Sequence, residues 1–200
     1  MRKFALLLFV LLIPFLSFAQ KKTSKQLMAD IRAEYNAAQE LVKKLQSDIP
    51  EARPGHIVIS SSENVAGIGV QDKKLECFFE SDWAPITDDS EEMFWGQDLR
   101  FVRYSYNVAA RKIYWEFLFN DEGTAIFVYY KGDEFFEGFT EARGYISEGM
   151  IVEMRTLENG EKETKTYEDL GEAWWTLEAV RTASEVKEVF DRYVSIGLRD

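Results

Sequence analysis

The sequence predicts an α+β domain in which a meander of antiparallel strands forms a sheet and helices from both ends of the chain pack on it. An amphipathic helical pattern follows the N-terminal segment, and a second helical pattern closes the chain. Between them lie segments with period-two alternation, joined by short turns that contain glycine. Strands that follow one another through short turns pair as antiparallel neighbours, and this order of elements is typical of α+β folds.

Residues 1–19 have the features of a secretory signal peptide. Two basic residues at positions 2 and 3 precede an apolar run over residues 4–16, and the small residues Ser17 and Ala19 end the segment. The run is shorter than the roughly 20 apolar residues of a spanning helix, and small residues suit signal peptidase. We therefore predict cleavage after Ala19, a periplasmic or secreted location, and no stable membrane anchor after cleavage.

The composition predicts a single acidic domain over residues 20–200. The chain is 46% hydrophobic, has a formal net charge of −11, and contains no linker rich in Pro, Gly or Ser. Because binding to phosphate backbones depends on clustered Lys and Arg, no nucleic-acid partner is predicted. The single cysteine, Cys77, alternates with polar residues in a strand pattern, so we expect a buried thiol in the core.

Two helical regions are predicted to cover the sheet. Thr23 or Ser24 can cap the first helix, whose apolar positions are Leu27, Ile31, Tyr35, Ala38, Val42 and Leu45. At the C-terminus, Thr182 begins a possible capping box, so two helices are expected there. Their predicted apolar faces comprise Leu170, Trp174, Leu177 and Val180 in one helix, and Val186, Val189, Phe190 and Tyr193 in the other.

Three turns in the second half of the chain carry a glycine, at positions 123, 149 and 160. Each can be a three-residue loop with the glycine in the left-handed conformation. A two-residue Asn-Gly turn is an alternative for the third, but it would place Glu158 opposite Glu161. The three-residue registers instead place Arg143 opposite Glu153, so cross-strand charge pairs favour them.

The hairpin over residues 115–130 is apolar on both faces, which is unusual for a strand pair that shows one face to water. With Asn120 paired to Thr124, the heavier face is expected to be the core face, packed on the helical stripes; it carries Trp115, Phe117, Phe119, Phe127 and Tyr129. The lighter face is the candidate surface for a ligand or partner, and a loop over residues 81–98 is the alternative cover. Its candidate ligand-binding residues are Tyr114, Glu116, Leu118, Val128 and Tyr130.

Motifs for nucleophilic, nucleotide-dependent or metal-dependent catalysis do not occur in the sequence, and no cofactor or metal is predicted. His56, the single histidine, lies on the polar side of a strand pattern and is expected to be exposed. Glu116 is expected to oppose Val128 among apolar neighbours. If buried there it would have a raised pKa and could serve as a general acid, whereas a partly solvated face would leave it a surface carboxylate.

The sequence resembles uncharacterised small secreted or periplasmic proteins, a domain of unknown function, from gut-type Gram-negative bacteria. The segments that carry the resemblance are the signal ending in FAQ, IRAEYNAAQELVKK, ENVAGIGVQDKKLECFF, FLFNDEGTAIFVYY and YISEGMIVEM. The resemblance implies a periplasmic or surface location and no particular activity.

The function predicted from these features is that of a noncatalytic secreted or periplasmic binding or accessory protein. Its partner is expected to be another protein or an apolar ligand. One alternative is a carrier that holds an apolar small molecule in a cleft between the sheet and the helices. A second alternative is a hydrolase that uses carboxylates such as Glu116.

Overall fold

The computed structural model describes residues 23–45, 47, 54–83, 95–132, 139–158, 160–170 and 174–197. Within these residues, eight strands form one antiparallel sheet in which β1 to β8 lie in chain order, as the sequence predicts. The strands are β1 (Gly55–Val65), β2 (Gly69–Trp83), β3 (Trp95–Val108), β4 (Arg111–Phe119), β5 (Ala125–Lys131), β6 (Glu141–Ser147), β7 (Met150–Glu158) and β8 (Glu161–Thr166). The helices are α1 (Ser24–Lys44), α2 (Tyr167–Leu170) and α3 (Trp174–Gly197).

Helix α1 begins at the predicted cap and lies across one face of the sheet. The Gln26 amide donates to Oγ1 of Thr23 at 3.3 Å, and the Thr23 amide donates to Oε1 of Gln26 at 3.0 Å. This reciprocal capping box satisfies two donors that a helix start leaves free. The apolar positions of α1 face the sheet, where Ile31 is 2% exposed. No helix within the described residues is both long and apolar enough to cross a membrane.

An apolar row of side chains under α1 runs across five strands, β2 to β6. Each member is the cross-strand neighbour of the next, so the row crosses the strand direction and one helix can cover it. Burying each large apolar side chain contributes about 1.5–3 kcal/mol. The row consists of Phe78, Phe101, Leu118, Phe127 and Tyr145, all of them buried.

The opposite face of the sheet carries the core that packs against α3. Cys77, Val102, Phe117 and Val128 form a second cross-strand row, each with 0% exposure. Burial raises the pKa of the Cys77 thiol to about 12, which confirms the predicted buried core cysteine. The row continues at Gly144, where a Cβ atom would lie 2.8 Å from a Val128 methyl group.

Helix α3 is continuous from Trp174 to Gly197, so the predicted second start at Thr182 is wrong. Thr182 is buried, and Ser184 donates to the carbonyl of Val180 inside the helix instead of marking a new start. The predicted apolar face is also displaced: Leu177, Val189 and Tyr193 are exposed, whereas Val186 and Phe190 are buried as expected. The side chains of Leu170 and Trp174 lie outside the described residues.

Small residues explain this rotation of α3. Ala179 and Ala183, with 0% and 1% exposure, contact the sheet together with Val186 and Phe190. Alanine lets the helix axis approach the strands closely, so the two alanines occupy the buried side and the larger Leu177 turns toward solvent.

The turns at Gly123, Gly149 and Gly160 set the strand registers. Of these three turns, the first has the predicted three-residue loop. At the first turn the Gly123 amide donates to the carbonyl of Asn120, and Asn120 pairs with Thr124. At the second, Ser147 pairs with Met150 around a two-residue turn. Here Glu148 and Gly149 have φ values of 52° and 77°, which suit the twist of a hairpin.

The third turn also has two residues, since Glu158 pairs with Glu161. The three-residue prediction is therefore wrong at the second and third turns, and Arg143 lies opposite Arg155, not opposite Glu153. Cross-strand charge pairs contribute only about 0.2–1 kcal/mol each, which does not outweigh the backbone preference of a turn.

A bulge in β5, at Ile126, changes the faces of the central hairpin. Phe119 pairs with Ala125 beside the turn, but Leu118 then pairs with Phe127, so the register shifts by one residue. A one-residue shift moves every later side chain to the other face. Glu116 accordingly lies opposite Tyr129, and the prediction that it opposes Val128 is wrong.

Both faces of this hairpin are covered, and α1 covers the face with Glu116 and Leu118. The prediction that residues 81–98 form a loop covering this face is wrong for the two ends of that range. Residues 81–83 belong to β2 and residues 95–98 to β3. Residues 84–94 lie outside the described part of the chain.

Candidate binding site beside helix α1

A buried carboxylate, Glu116, lies at the centre of a polar cluster beside α1. It is 6% exposed. The Tyr35 hydroxyl donates to Oε2 at 2.5 Å, and the Tyr114 hydroxyl donates to Oε1 at 2.6 Å. Nε of Arg103 lies 3.8 Å from Oε1, and Nη2 of Arg103 donates to the Gln39 side chain at 3.2 Å. Glu116 thus connects α1 to strands β3 and β4.

The two tyrosines are held as hydrogen-bond donors. Burial is the first cause that raises the pKa of Tyr35 and of Tyr114, and the hydrogen bond to Glu116 is the second. Both oxygens of Glu116 therefore accept hydrogen bonds from groups that keep their protons. A general acid must point a proton at its substrate, so this arrangement does not favour that role for Glu116.

Glu116 belongs to a polar row that runs beside the apolar row on the same sheet face. Its members are cross-strand neighbours on β2 to β7. Carboxylate and guanidinium groups alternate at the β2 end of the row. At the β7 end, two guanidinium groups are neighbours. The row consists of Glu76, Arg103, Glu116, Tyr129, Arg143 and Arg155.

At the arginine end of this row, a pocket of about 300 Å³ opens between α1 and the sheet. We call it the α1 pocket. Its walls combine guanidinium groups with aromatic rings, and its floor belongs to the apolar row. The residues that form it include Arg32, Tyr35, Phe127, Arg143, Tyr145 and Arg155.

The rings of the α1 pocket are held by contacts within the core. Phe127 makes edge contacts with Tyr35 and Tyr145, at centroid distances of 5.0 and 5.5 Å. The guanidinium of Arg32 lies 5.6 Å from the centroid of Tyr145, and that of Arg155 lies 5.5 Å from it. Cation–π contacts of this kind position the charged groups against the pocket wall.

The three arginines of the α1 pocket differ in how well their charges are compensated. Arg155 is held by Glu153, with Nε and Nη2 both 2.7 Å from Oε1. Arg143 is 51% exposed in its side chain and lies 3.8 Å from Glu141, which also pairs with Lys131 at 3.5 Å. Arg32 donates to the Tyr145 hydroxyl at 3.2 Å, and no carboxylate of the described residues forms an ion pair with it.

The predicted ligand-binding residues do not form one surface. Tyr114, Glu116 and Leu118 lie on the face covered by α1, whereas Val128 and Tyr130 lie in the core on the opposite face, with 0% and 3% exposure. The bulge at Ile126 in β5 causes this separation. The α1 pocket adjoins the first three, but it is formed largely by residues that the sequence did not single out as a site.

The sequence patterns do not predict the cluster of arginines at the α1 pocket. Arg32 lies on α1, Arg143 on β6 and Arg155 on β7, so their proximity depends on where the helix crosses the sheet. A two-residue second turn alone would place Arg143 opposite Met154, and a further register shift at Val152 places it opposite Arg155. Cross-strand charge pairing favours a different register, so it gives no signal for this cluster.

Other polar groups of the described residues offer weaker sites. No group of three His, Cys, Asp or Glu side chains in this part of the chain is placed to hold a metal ion. Glu80 and Asp121, beside a larger cleft of about 720 Å³, both bind Arg100. His56 is exposed as predicted and stacks on Phe78 at a centroid distance of 4.6 Å.

Comparisons with known proteins do not add a relative from which residue roles could be transferred: no family model matches the sequence, and no curated protein and no solved structure matches it. The roles of Arg32, Arg143 and Glu116 therefore follow from geometry. The resemblance to small secreted proteins stays a prediction.

Proposed function

We propose that this chain is an exported, noncatalytic binding protein that takes a small ligand in the α1 pocket. The single observation that carries the proposal is that the pocket has a buried apolar floor, and that guanidinium groups without a close carboxylate lie above it. Phe127 and Tyr145 are 5% and 3% exposed and belong to the core, while Arg32 and Arg143 reach the rim. Sites for small molecules commonly combine an apolar lining with a few oriented polar groups.

The α1 pocket is organised before a ligand arrives. Tyr35 is fixed by its hydrogen bond to Glu116, and its ring contacts both Phe101 and Phe127. Ordering a loose side chain on binding costs about 0.5–1.5 kcal/mol, so a site whose rings are already fixed avoids much of that cost.

The two alternative functions have less support from the described residues. A carrier of an apolar molecule would need an apolar cleft between the sheet and a helix. On the α3 side Phe117, Val102 and Val128 are each 0% exposed and pack in one cluster with α3, and on the α1 side the pocket is lined by three arginines, which do not suit a wholly apolar ligand. A hydrolase that used Glu116 would need its oxygens free to face a substrate, and both accept tyrosine hydrogen bonds.

A fragment screen followed by NMR tests the proposed site. A panel of small anionic, neutral and cationic aromatic compounds is titrated into the labelled mature protein. We expect at least one charge class to shift the resonances of Tyr35, Phe127 and Tyr145 in a saturable way. Asn36→Trp places a large ring at the pocket rim and should abolish these shifts.

Ala33→Trp is the matched control, since Ala33 is exposed on the same helix and does not line the α1 pocket. Binding that survives Asn36→Trp, or a panel in which no compound shifts the pocket resonances, would reject the site.

Export is tested separately by expressing the whole chain in a Gram-negative host. The proposal expects protein in the periplasm or the medium that begins at Gln20. Recovery of the protein with residues 1–19 intact in the inner membrane would reject export without affecting the binding site.

A further inference from the structure

We propose that the ligand of the α1 pocket is a small monocarboxylate with a flat apolar body, an inference that rests on the proposed function. The pocket presents guanidinium groups at its rim and aromatic carbon at its floor. Arginine matches the planar, two-oxygen geometry of a carboxylate, and aromatic faces match an apolar ring.

The charges around the α1 pocket favour one negative charge on the ligand. Four arginines lie in or beside it, namely Arg32, Arg103, Arg143 and Arg155. Three carboxylates bind or approach them. Glu141 is shared with Lys131, and Arg103 lies opposite Glu76 as well as Glu116. Among the residues that line the α1 pocket itself, three are arginines and none is a carboxylate, in a protein whose net charge is −11.

The pair Arg143 and Arg155 is the point at which an anion would be most stabilising. The two residues are directly opposite on β6 and β7, where like charges repel. The ring of Tyr129 holds Arg143 at 5.3 Å, and the ring of Tyr145 holds Arg155 at 5.5 Å. A carboxylate between the two guanidinium groups would convert this repulsion into two charge-assisted contacts.

The size of the α1 pocket limits the rest of the ligand. A volume of about 300 Å³ corresponds to roughly ten water molecules at about 30 Å³ each. A bound group with on the order of ten non-hydrogen atoms fills this space. The buried side chains of Ile31 and Phe127 at the floor favour carbon over polar groups at the inner end of the ligand.

Calorimetric titration with benzoate as the probe tests this inference. Benzamide has the same shape without the charge, and inorganic phosphate has the charge without the ring. We expect benzoate to bind about tenfold or more tightly than either, because both the charge and the ring contribute. Added NaCl should weaken benzoate binding, since Arg143 is half exposed and screened by salt.

Arg143→Gln and Arg32→Gln identify the groups responsible. Each should weaken benzoate about tenfold while leaving benzamide unchanged. Neither side chain forms a close ion pair in the described structure, so the melting temperature should stay near that of the parent. Arg181→Gln is the matched control, because Arg181 pairs with Glu178 and Glu185 on α3, which packs on the opposite face of the sheet.

The outcomes separate this inference from the proposed function. Equal binding of benzamide and benzoate, or pocket shifts from neutral or cationic compounds alone, would overturn the monocarboxylate while the binding site stands. Phosphate that binds as tightly as benzoate would indicate a site for inorganic anions and also overturn it. Absence of binding by every class would overturn both.

Discussion

The Tyr35 hydroxyl donates a 2.5 Å hydrogen bond to Glu116, joining the middle of α1 to the centre of the sheet across 81 positions of sequence. Tyr35 also contacts Phe127 at a centroid distance of 5.0 Å. The same side chain therefore anchors the helix and forms a wall of the α1 pocket. Helix docking and pocket shape depend on one another at this residue.

Replacing Tyr35 with Phe should destabilise the fold while preserving its apolar packing. The change removes the donor to Oε2 of Glu116, a residue that is 6% exposed. Leaving a buried acceptor unsatisfied costs about 1–3 kcal/mol. Urea unfolding measures the difference, and Tyr193→Phe is the control because Tyr193 is 51% exposed. Equal stability of Tyr35→Phe and the parent would show that the contact contributes nothing.

Stability should fall in alkaline solution for a reason that involves the same cluster. The pKa values of Tyr35 and Tyr114 are raised in the folded state, whereas unfolded tyrosine titrates near about 10. A raised folded pKa contributes stability that is complete below the unfolded pKa and is lost as the pH rises above it. Unfolding free energy should therefore decline above about pH 10.

The double variant Tyr35→Phe, Tyr114→Phe should show a shallower alkaline decline than the parent. Unfolding measured at a series of pH values decides this, and an unchanged slope would mean that other groups cause the decline. Tyr193→Phe again serves as the control, since Tyr193 is exposed.

Phe117→Ala should be among the more damaging single changes in the core. Phe117 has 0% exposure and stacks on Trp115 at a centroid distance of 5.8 Å. Truncating a buried Phe typically costs about 3–5 kcal/mol, because the transfer energy is lost and a cavity is left. Val189→Ala, at a position that is 41% exposed, should cost far less. Similar losses for the two variants would contradict the packing of this face.

His56 should titrate below its ordinary range. Partial burial is the first cause that lowers its pKa, the charges of Lys74 and Arg103 lower it further, and Glu76 raises it. Because the chain has one histidine, its NMR signal is unambiguous. Glu76→Gln should lower the pKa again, and an increase would refute the contact.

The lowered pKa of His56 also fixes the sign of its effect on stability. Unfolded histidine titrates near about 6.5 and binds protons more readily than the folded state, so the contribution is present above that pH and is lost as the pH falls. His56→Gln should flatten the decline in unfolding free energy just below this value.

The sheet and α1 could be predicted because their signals are local. The cap at Thr23 and the stripe through Ile31 and Ala38 depend on helix periodicity and short-range hydrogen bonds. Leu75, Cys77 and Phe79 are buried as their alternation predicts, and Phe78 on the other face is buried as well, under α1. Each of these patterns is complete within one segment of the chain.

The candidate site could not be predicted because it depends on the registers between strands and on where α1 crosses the sheet. The bulge at Ile126 reverses the faces of β5. At the second turn, a two-residue loop and a further register shift at Val152 together place Arg143 opposite Arg155. A turn preference and a charge preference opposed each other there, and the sequence alone did not show which was larger. The crossing point of α1, which brings Arg32 and Tyr35 to the sheet, is set by the whole apolar row.

The most direct test of the α1 pocket as the binding site is the set of intermolecular nuclear Overhauser effects between benzoate and the labelled mature protein. We predict contacts from the benzoate ring protons to the Ile31 methyl groups and to the rings of Tyr35 and Phe127, which line the pocket. Contacts confined to residues outside this group, such as Tyr106 or Ile113 at the far polar cleft, would contradict it.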